Sequence, residues 1–203
     1  MRGLGRAAGW TLLVLLVAFV VAKFLLFEIE ELGHDYMAPN ILTGDQIAVY
    51  TRASPERGDV VVCEHPREPG RRVIGRLVGV AGDEVAIERG ALFLNGTAVA
   101  VTSPEPDTFR LTGDQELRLV RETLGSGRSW LTAVDPAHPV QMREVEVESG
   151  WYLLADNRPS GTDSRAFGEV HPSLCKGRAF LLLLPGPGQG ITSPADRRFT
   201  WIE

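Results

Sequence analysis

Any hydrolytic chemistry in this chain has to be assembled from a thin set of side chains. The four histidines, His34, His65, His138 and His171, are scattered, with no H-E-x-x-H and no zinc-ligand spacing. Each reads as a surface or turn residue. Lys23 and Lys176 are the only lysines, against nineteen arginines. An arginine guanidinium does not deprotonate at any relevant pH and so cannot serve as a general base. Asp156, Asp163 and Glu169 form a loose carboxylate group, a pattern commoner in turns and ion pairs than in catalysis. Cys63 and Cys175 could bridge outside the cytosol, but without C-x-x-C spacing two buried thiols are the favoured reading. No Walker loop or G-x-G-x-x-G occurs, and Gly186-Pro187-Gly188-Gln189-Gly190 reads as a flexible loop. No cofactor and no metal is expected.

The elements that would position these groups follow from length and patterning. At 203 residues, 44% hydrophobic and 23% charged, the chain suits one globular domain, or one domain plus an anchor, and excludes collagen, a long coiled coil and disorder. A net charge of −5, with no cluster of basic and aromatic residues, argues against a nucleic-acid partner. Ala7 to Phe27 carries one charge, Lys23. As a helix it would span about 30 Å, the thickness of a bilayer core. A cleaved secretory signal is the alternative, with Val20-Val21-Ala22 as a tolerable cleavage motif. The run is longer than a usual signal core, however, and Phe24 and Phe27 sit at its far edge, which favours a retained anchor. Arg2 and Arg6 would stay inside. The expected organisation is therefore a cytoplasmic segment 1–6, a single transmembrane anchor 7–27 in contact with lipid, and a domain 28–203 on the outer, periplasmic side of the inner membrane.

That domain reads as mostly β. Alternating apolar runs predict strands at Gln46–Tyr50, Asp59–Cys63, Arg72–Val80, Glu84–Glu88, Ala91–Leu94, Glu144–Val147, Gly150–Leu154 and Arg178–Leu184. Asn95-Gly96 predicts a type I′ hairpin turn into Thr97–Val99. Residues 104–137 are polar and irregular, an inserted loop or a small subdomain. No internal repeat is present, and no segment after residue 30 holds helical periodicity over three turns.

Three segments, in order, carry a family resemblance. Tyr36-Met37-Ala38-Pro39-Asn40-Ile41-Leu42-Thr43-Gly44-Asp45 resembles the S-M-x-P-T-L-x-x-G-D box of type I signal peptidases, membrane-bound serine proteases that remove signal peptides. Ile74-Gly75-Arg76-Leu77-Val78-Gly79-Val80-Ala81-Gly82-Asp83 resembles their I-K-R-V-x-G-x-P-G-D box. Ala155-Asp156-Asn157-Arg158-Pro159-Ser160-Gly161-Thr162-Asp163-Ser164-Arg165, followed by Phe167-Gly168, resembles G-D-N-R-x-x-S-x-D-S-R with its W/F-G pair. Glu122-Thr123-Leu124-Gly125 is similar to a further stretch of bacterial members. The resemblance runs from residue 8 to 184.

It implies coiled antiparallel β-sheets behind an N-terminal transmembrane helix, with an outward-facing active site near the membrane and a Ser/Lys dyad. It also shows what is missing. The nucleophile position is Tyr36, the general-base position Gly75, and the position of the serine that supports the base Gly161. His34 and Asp35 stand where small residues precede the nucleophile. The implied peptide cleft comprises His34, Asp35, Tyr36, Met37, Ile41, Val73 and Ile74, with the Tyr36 ring expected to plug it. Pro39, Gly44, Asp45, Arg76, Gly82, Asp83, Asp156, Asn157, Asp163, Ser164 and Arg165 match positions read as scaffold. The expected protein is thus a signal peptidase homologue lacking the dyad. As such it would bind exported proteins or signal peptides, or accompany an active signal peptidase. The alternatives are an active peptidase of unrecognised arrangement and a structural envelope component.

Overall fold

The computed structural model describes residues 10–18, 21, 26–110, 116–187 and 197–203. Residues 10–18 are helical and expose Trp10, Leu12 and Val14. No helix among the described residues is long and apolar enough to cross a membrane. The expected segment 1–6 and much of the expected anchor, Lys23 and Phe24 included, lie outside the described residues.

The body is built from antiparallel strands in three sheets. Their ranges are β1 Phe27–Glu31, β2 Gln46–Tyr50, β3 Val60–Glu64, β4 Arg72–Val80, β5 Glu84–Glu88, β6 Ala91–Leu94, β7 Thr97–Ala98 and β8 Ala100–Thr102. There follow β9 Thr108–Arg110, β10 Glu116–Thr123, β11 Ser129–Val134, β12 Met142–Glu146, β13 Trp151–Leu154, β14 Cys175–Leu184 and β15 Thr200–Trp201. The main sheet runs β1-β2-β14-β3-β4-β13, with β15 added on β14. The second runs β12-β5-β6-β7 and the third β11-β10-β8, with β9 also on β10.

Sequence patterning and structure agree best where a strand is apolar on both faces. Val60, Val61, Val62 and Cys63 of β3 are all buried, as a strand covered on both sides must be. The hairpin at Asn95-Gly96 has positive φ at both residues, 52° and 70°, as its turn type requires. In 104–137, expected as an inserted loop or a small subdomain, the described residues include β9, β10 and β11, which form a sheet with β8: Phe109, Leu117, Leu119 and Ala133 are buried and pack on Ala38 and Leu42. The strands hide behind polar composition because every second residue of β10 faces out at its start. Cys63 and Cys175 are not thiols but a disulfide. They are directly opposed residues of β3 and β14, a register that spacing along the chain cannot reveal.

Candidate active-site region

The segment between β1 and β2 folds into a tight turn pinned from both sides. Met37 and Ile41 enter the main core with Ile47, Val62 and Ile74, and Ala38 and Leu42 enter the core of the third sheet. Ile41 N donates to Met37 O at 2.9 Å, and Gly44 N to Leu32 O at 2.7 Å. Asp45, fully buried, accepts from Leu42 N at 2.7 Å, Gly186 N at 2.9 Å and Arg197 at 2.6 Å. Gly44 has φ of 82°, the left-handed turn conformation glycine adopts without cost. Pro39 follows a cis peptide bond.

Tyr36 is half-buried on this turn, its ring stacked on His34 with centroids 4.0 Å apart. Its carbonyl accepts from Asn157 N at 2.9 Å, and Asn157 Nδ2 donates to Asp35 O at 3.2 Å. The Asp35 carboxylate accepts from Thr43 Oγ1 at 2.7 Å and Thr43 N at 3.0 Å, so its charge is spent inside the turn. Burial is the main cause holding the His34 imidazole below its ordinary 6.5, and nearby Arg71 adds to it. His34 Nδ1 is buried without a partner. The unfolded chain therefore takes up a proton at His34 before the folded one does, and stability falls as pH drops below about 6.5. His34→Asn is expected to flatten that part of the curve. The check is the difference in urea midpoint between variant and parent, measured from pH 7.5 down to 5; identical slopes would contradict it.

The opposite wall is β4. Gly75 pairs with Val61 of β3. A Cβ there would lie 2.9 Å from Leu153 Cβ and 3.6 Å from Leu154 O. Gly161 is tighter still, its Cβ position 2.1 Å from Ala155 Cβ and 3.0 Å from Asn157 O. Contacts under 3.0 Å to a side-chain root are repulsive, so both positions are closed to any side chain as the strands now pack. Val73 and Ile74 are buried, as are Met37 and Ile41, and these four are core rather than open cleft surface. What β4 does offer is backbone. Its register with β13 covers Arg76 to Val80 and stops there, leaving Arg72 to Gly75 without a β13 partner on the side away from β3.

Behind this wall lies a buried polar network. Arg76, 0% exposed, makes a two-pronged pair with Asp156 at 2.7 and 2.6 Å. It also donates to Gly58 O and to the main-chain oxygen of Glu203, both at 2.6 Å, and stacks over Trp130. Asp156 in turn accepts from Asn40 Nδ2 at 2.7 Å, tying the network to the Tyr36 turn. Asp163 accepts from Ala155 N at 2.8 Å and pairs with Arg165 at 2.7 Å, while Ser164 Oγ accepts from Leu153 N at 2.9 Å. Gly82 has φ of 88° in the turn before β5. Beside it, burial pushes Asp83 up, but Arg57, the Val80 amide and Asn95 outweigh that and hold its carboxyl below the ordinary range. Glu169 accepts from three successive amides, Glu148 to Gly150. The carboxylates grouped in the sequence are thus separate structural acceptors.

Composition did not single out Arg158, Asn40 or Arg57. Glu122 accepts from Arg158 at 2.6 Å, and from Trp130 Nε1 and Thr132 Oγ1 at 3.0 Å each, all in the interior. Its only sequence signal was the Glu122-Thr123-Leu124-Gly125 stretch.

The family described as "Signal peptidase, peptidase S26" matches residues 4–184. The chain belongs to that signal peptidase family. Among its curated relatives, "Signal peptidase I" of Pseudomonas aeruginosa is 29% identical over 173 residues, covering 75% of this chain and 59% of that protein. "Signal peptidase I" of Pseudomonas fluorescens is 30% identical over the same coverage, and that of Rickettsia prowazekii 30% over 55% of this chain and 45% of its own. This signal peptidase homologue therefore spans about three-fifths or less of the length of these relatives. A solved signal peptidase I from Enterococcus faecalis V583 shares 23% identity with a TM-score of 0.39, covering 62% of this chain and 97% of its own.

Proposed function

We propose that this signal peptidase family member keeps the fold without the reaction, as a membrane-tethered binding or accessory subunit at the outer face of the membrane. The observation that carries the reading is the closed space at Gly75. The dyad needs an amine held neutral by burial within reach of a hydroxyl, and Leu153 Cβ crowds to 2.9 Å the place from which such a side chain would start. Gly161 closes the supporting position in the same way, and Tyr36 puts a phenol where the family has a serine. Lys176 cannot substitute: it pairs with Glu28 at 2.6 Å, on the strand that begins at Cys175.

The apolar run 7–27, with Arg2 and Arg6 before it, supports the tether. The Cys63–Cys175 disulfide supports an oxidising compartment for the body. The edge of Arg72 to Gly75 facing away from β3, which the β13 register does not reach, supports capture of an extended exported segment or signal peptide by strand addition. The full burial of Met37 and Ile41 favours a second reading, an envelope component whose cleft is unused. Peptide crosslinking near Tyr36 separates the two.

The test is cleavage of a secretory pre-protein by the purified full chain in detergent, beside an active signal peptidase I. No cleavage is expected. Cleavage that survives repurification and vanishes in Tyr36→Phe would overturn the proposal.

A further inference from the structure

β10 divides its side chains between two faces, as any strand does. Leu117 and Leu119 pack with Ala38 and Leu42, so Arg118, Val120 and Glu122 project from the opposite face. Directly across from Glu122 stand Trp130 of β11 and Val101 of β8, and across from Arg118 stands Val134. Trp130 enters the core of the second sheet with Val85 and Ile87, so the third sheet packs on the second near Glu122. Beside that contact lies a groove of about 380 Å³, whose other lip is the β5–β6 turn from Arg89 to Ala91. Gly90 N donates to Val140 O at 3.0 Å, which pins this lip to the chain after β11. The volume falls in the range of small-ligand sites. None of the groove's lining residues belongs to the Tyr36 turn or to β4.

Burial deepens along the β10 row: Arg118 is exposed, Val120 half-buried and Glu122 1% exposed. Exposed Val101 and half-buried Val120 and Val134 make the walls apolar. The charges on the groove are unevenly answered. Neither Arg89 nor Arg118 has a carboxylate partner among the described residues, and Arg118 donates to the neutral Ser103 Oγ at 3.1 Å. Asp135 also lines the groove, but its carboxylate is spent on Ala137 N at 2.9 Å and on His138. At the buried end Trp130, Thr132 and Arg158 all donate to Glu122 Oε2. No donor among the described residues reaches Oε1, and a buried carboxylate oxygen left bare is costly.

We propose that this groove holds the end of a peptide that finishes in an apolar residue with a free carboxylate. The carboxylate sits between Arg89 and Arg118, the apolar side chains lie on the three valines, and an upstream backbone N–H donates to Glu122 Oε1. Charge complementarity selects an anion at the mouth, because two guanidiniums without a counter-ion attract one. The bare Glu122 oxygen selects a peptide over an alkyl carboxylate. Hydrocarbon laid against that oxygen would seal it from water and bring no donor. Length agrees as well: Arg118 and Glu122 are four residues apart on one strand, about 13 Å, which an extended peptide covers in about four residues.

The test is calorimetric titration of the purified full chain in detergent with acetyl-Ala-Ala-Ala-Val, as free acid and as amide. The acid is expected to bind about tenfold or more tightly than the amide. Arg89→Gln and Arg118→Gln should each weaken the acid about three- to fivefold, with unchanged urea midpoints because both side chains are exposed. Glu122→Gln would also disturb Arg158, so the Glu122 contact is tested on the ligand: N-methylation of the first alanine should lower affinity, and no effect would overturn that contact. Acid and amide binding alike would remove the carboxylate from the account. Hexanoate binding as tightly as the peptide would give the groove to alkyl carboxylates. Affinity indifferent to both arginines would place the peptide elsewhere on the molecule. Each of these overturns the proposal, as does the absence of binding heat at millimolar peptide. Self-association that Arg118→Gln abolishes and the peptide fails to compete would mean that a second copy fills the groove, and would also overturn it.

Discussion

A triple variant carrying Tyr36→Ser, Gly75→Lys and Gly161→Ser is expected to cleave no pre-protein and to unfold roughly 5–20 °C below the parent chain. Restoring residue types does not restore a site whose space has been refilled. A side chain at position 75 starts 2.9 Å from Leu153 Cβ, and one at 161 starts 2.1 Å from Ala155 Cβ. Overpacking of this kind costs about 1–3 kcal/mol per site, so about 2–6 kcal/mol for the two. For a domain of this size each kcal/mol moves the melting temperature by about 2–4 °C. The sign of the simplest member of the series is diagnostic. Gly75→Ala in a strand would ordinarily stabilise by about 0.5–1 kcal/mol through chain entropy, yet here it is expected to destabilise. Leu153→Gly, which removes the offending Cβ, is expected to relieve Gly75→Ala, whereas Leu153→Ala is not. Melting temperatures of the four combinations check this. A triple variant that melts with the parent and processes pre-protein would sink both the steric argument and the proposed function.

Arg76→Ala is expected to cost about 3–5 kcal/mol, the range for removing one partner of a buried ion pair. The loss is large because Asp156 is 0% exposed and would be left with Asn40 as its remaining side-chain donor, while Gly58 O and Glu203 O lose theirs. Asp156→Ala is expected to be comparable, since it strands the guanidinium instead. Arg76→Met combined with Asp156→Leu should lose less than either single alanine variant, because no charge remains to be solvated. A double-mutant cycle on urea midpoints measures this coupling. Additive losses would mean that the pair is not the unit holding the Tyr36 turn to the sheet. The network also explains why the scaffold boxes stay legible while the dyad positions do not: Arg76, Asp156, Asp163 and Ser164 each satisfy a partner that the fold cannot leave bare.

The local features were legible because their causes are local. Period-two alternation gave β2, β4 and β5 with their bounds, and Asn-Gly gave the hairpin turn, since only the residues concerned determine them. β1 was hidden inside the edge of an apolar run, where patterning cannot separate the end of a helix from the start of a strand. The third sheet was hidden by its polar outer face. The burial of Met37, Ile41, Val73 and Ile74 was not legible, because whether an apolar side chain lines a groove or fills an interior depends on what packs over it.

Residue identities alone determined that Tyr36, Gly75 and Gly161 stand where the resemblance puts the nucleophile, the base and its supporting serine, and that the chain carries boxes resembling the family's in order. Only the tertiary structure decided that Leu153 and Ala155 crowd Gly75 and Gly161, that Cys63 meets Cys175, and that Trp201 shares a row with Ile29. Each of these is a distance between residues far apart in the chain, fixed by strand register and packing, and spacing along the chain does not encode it.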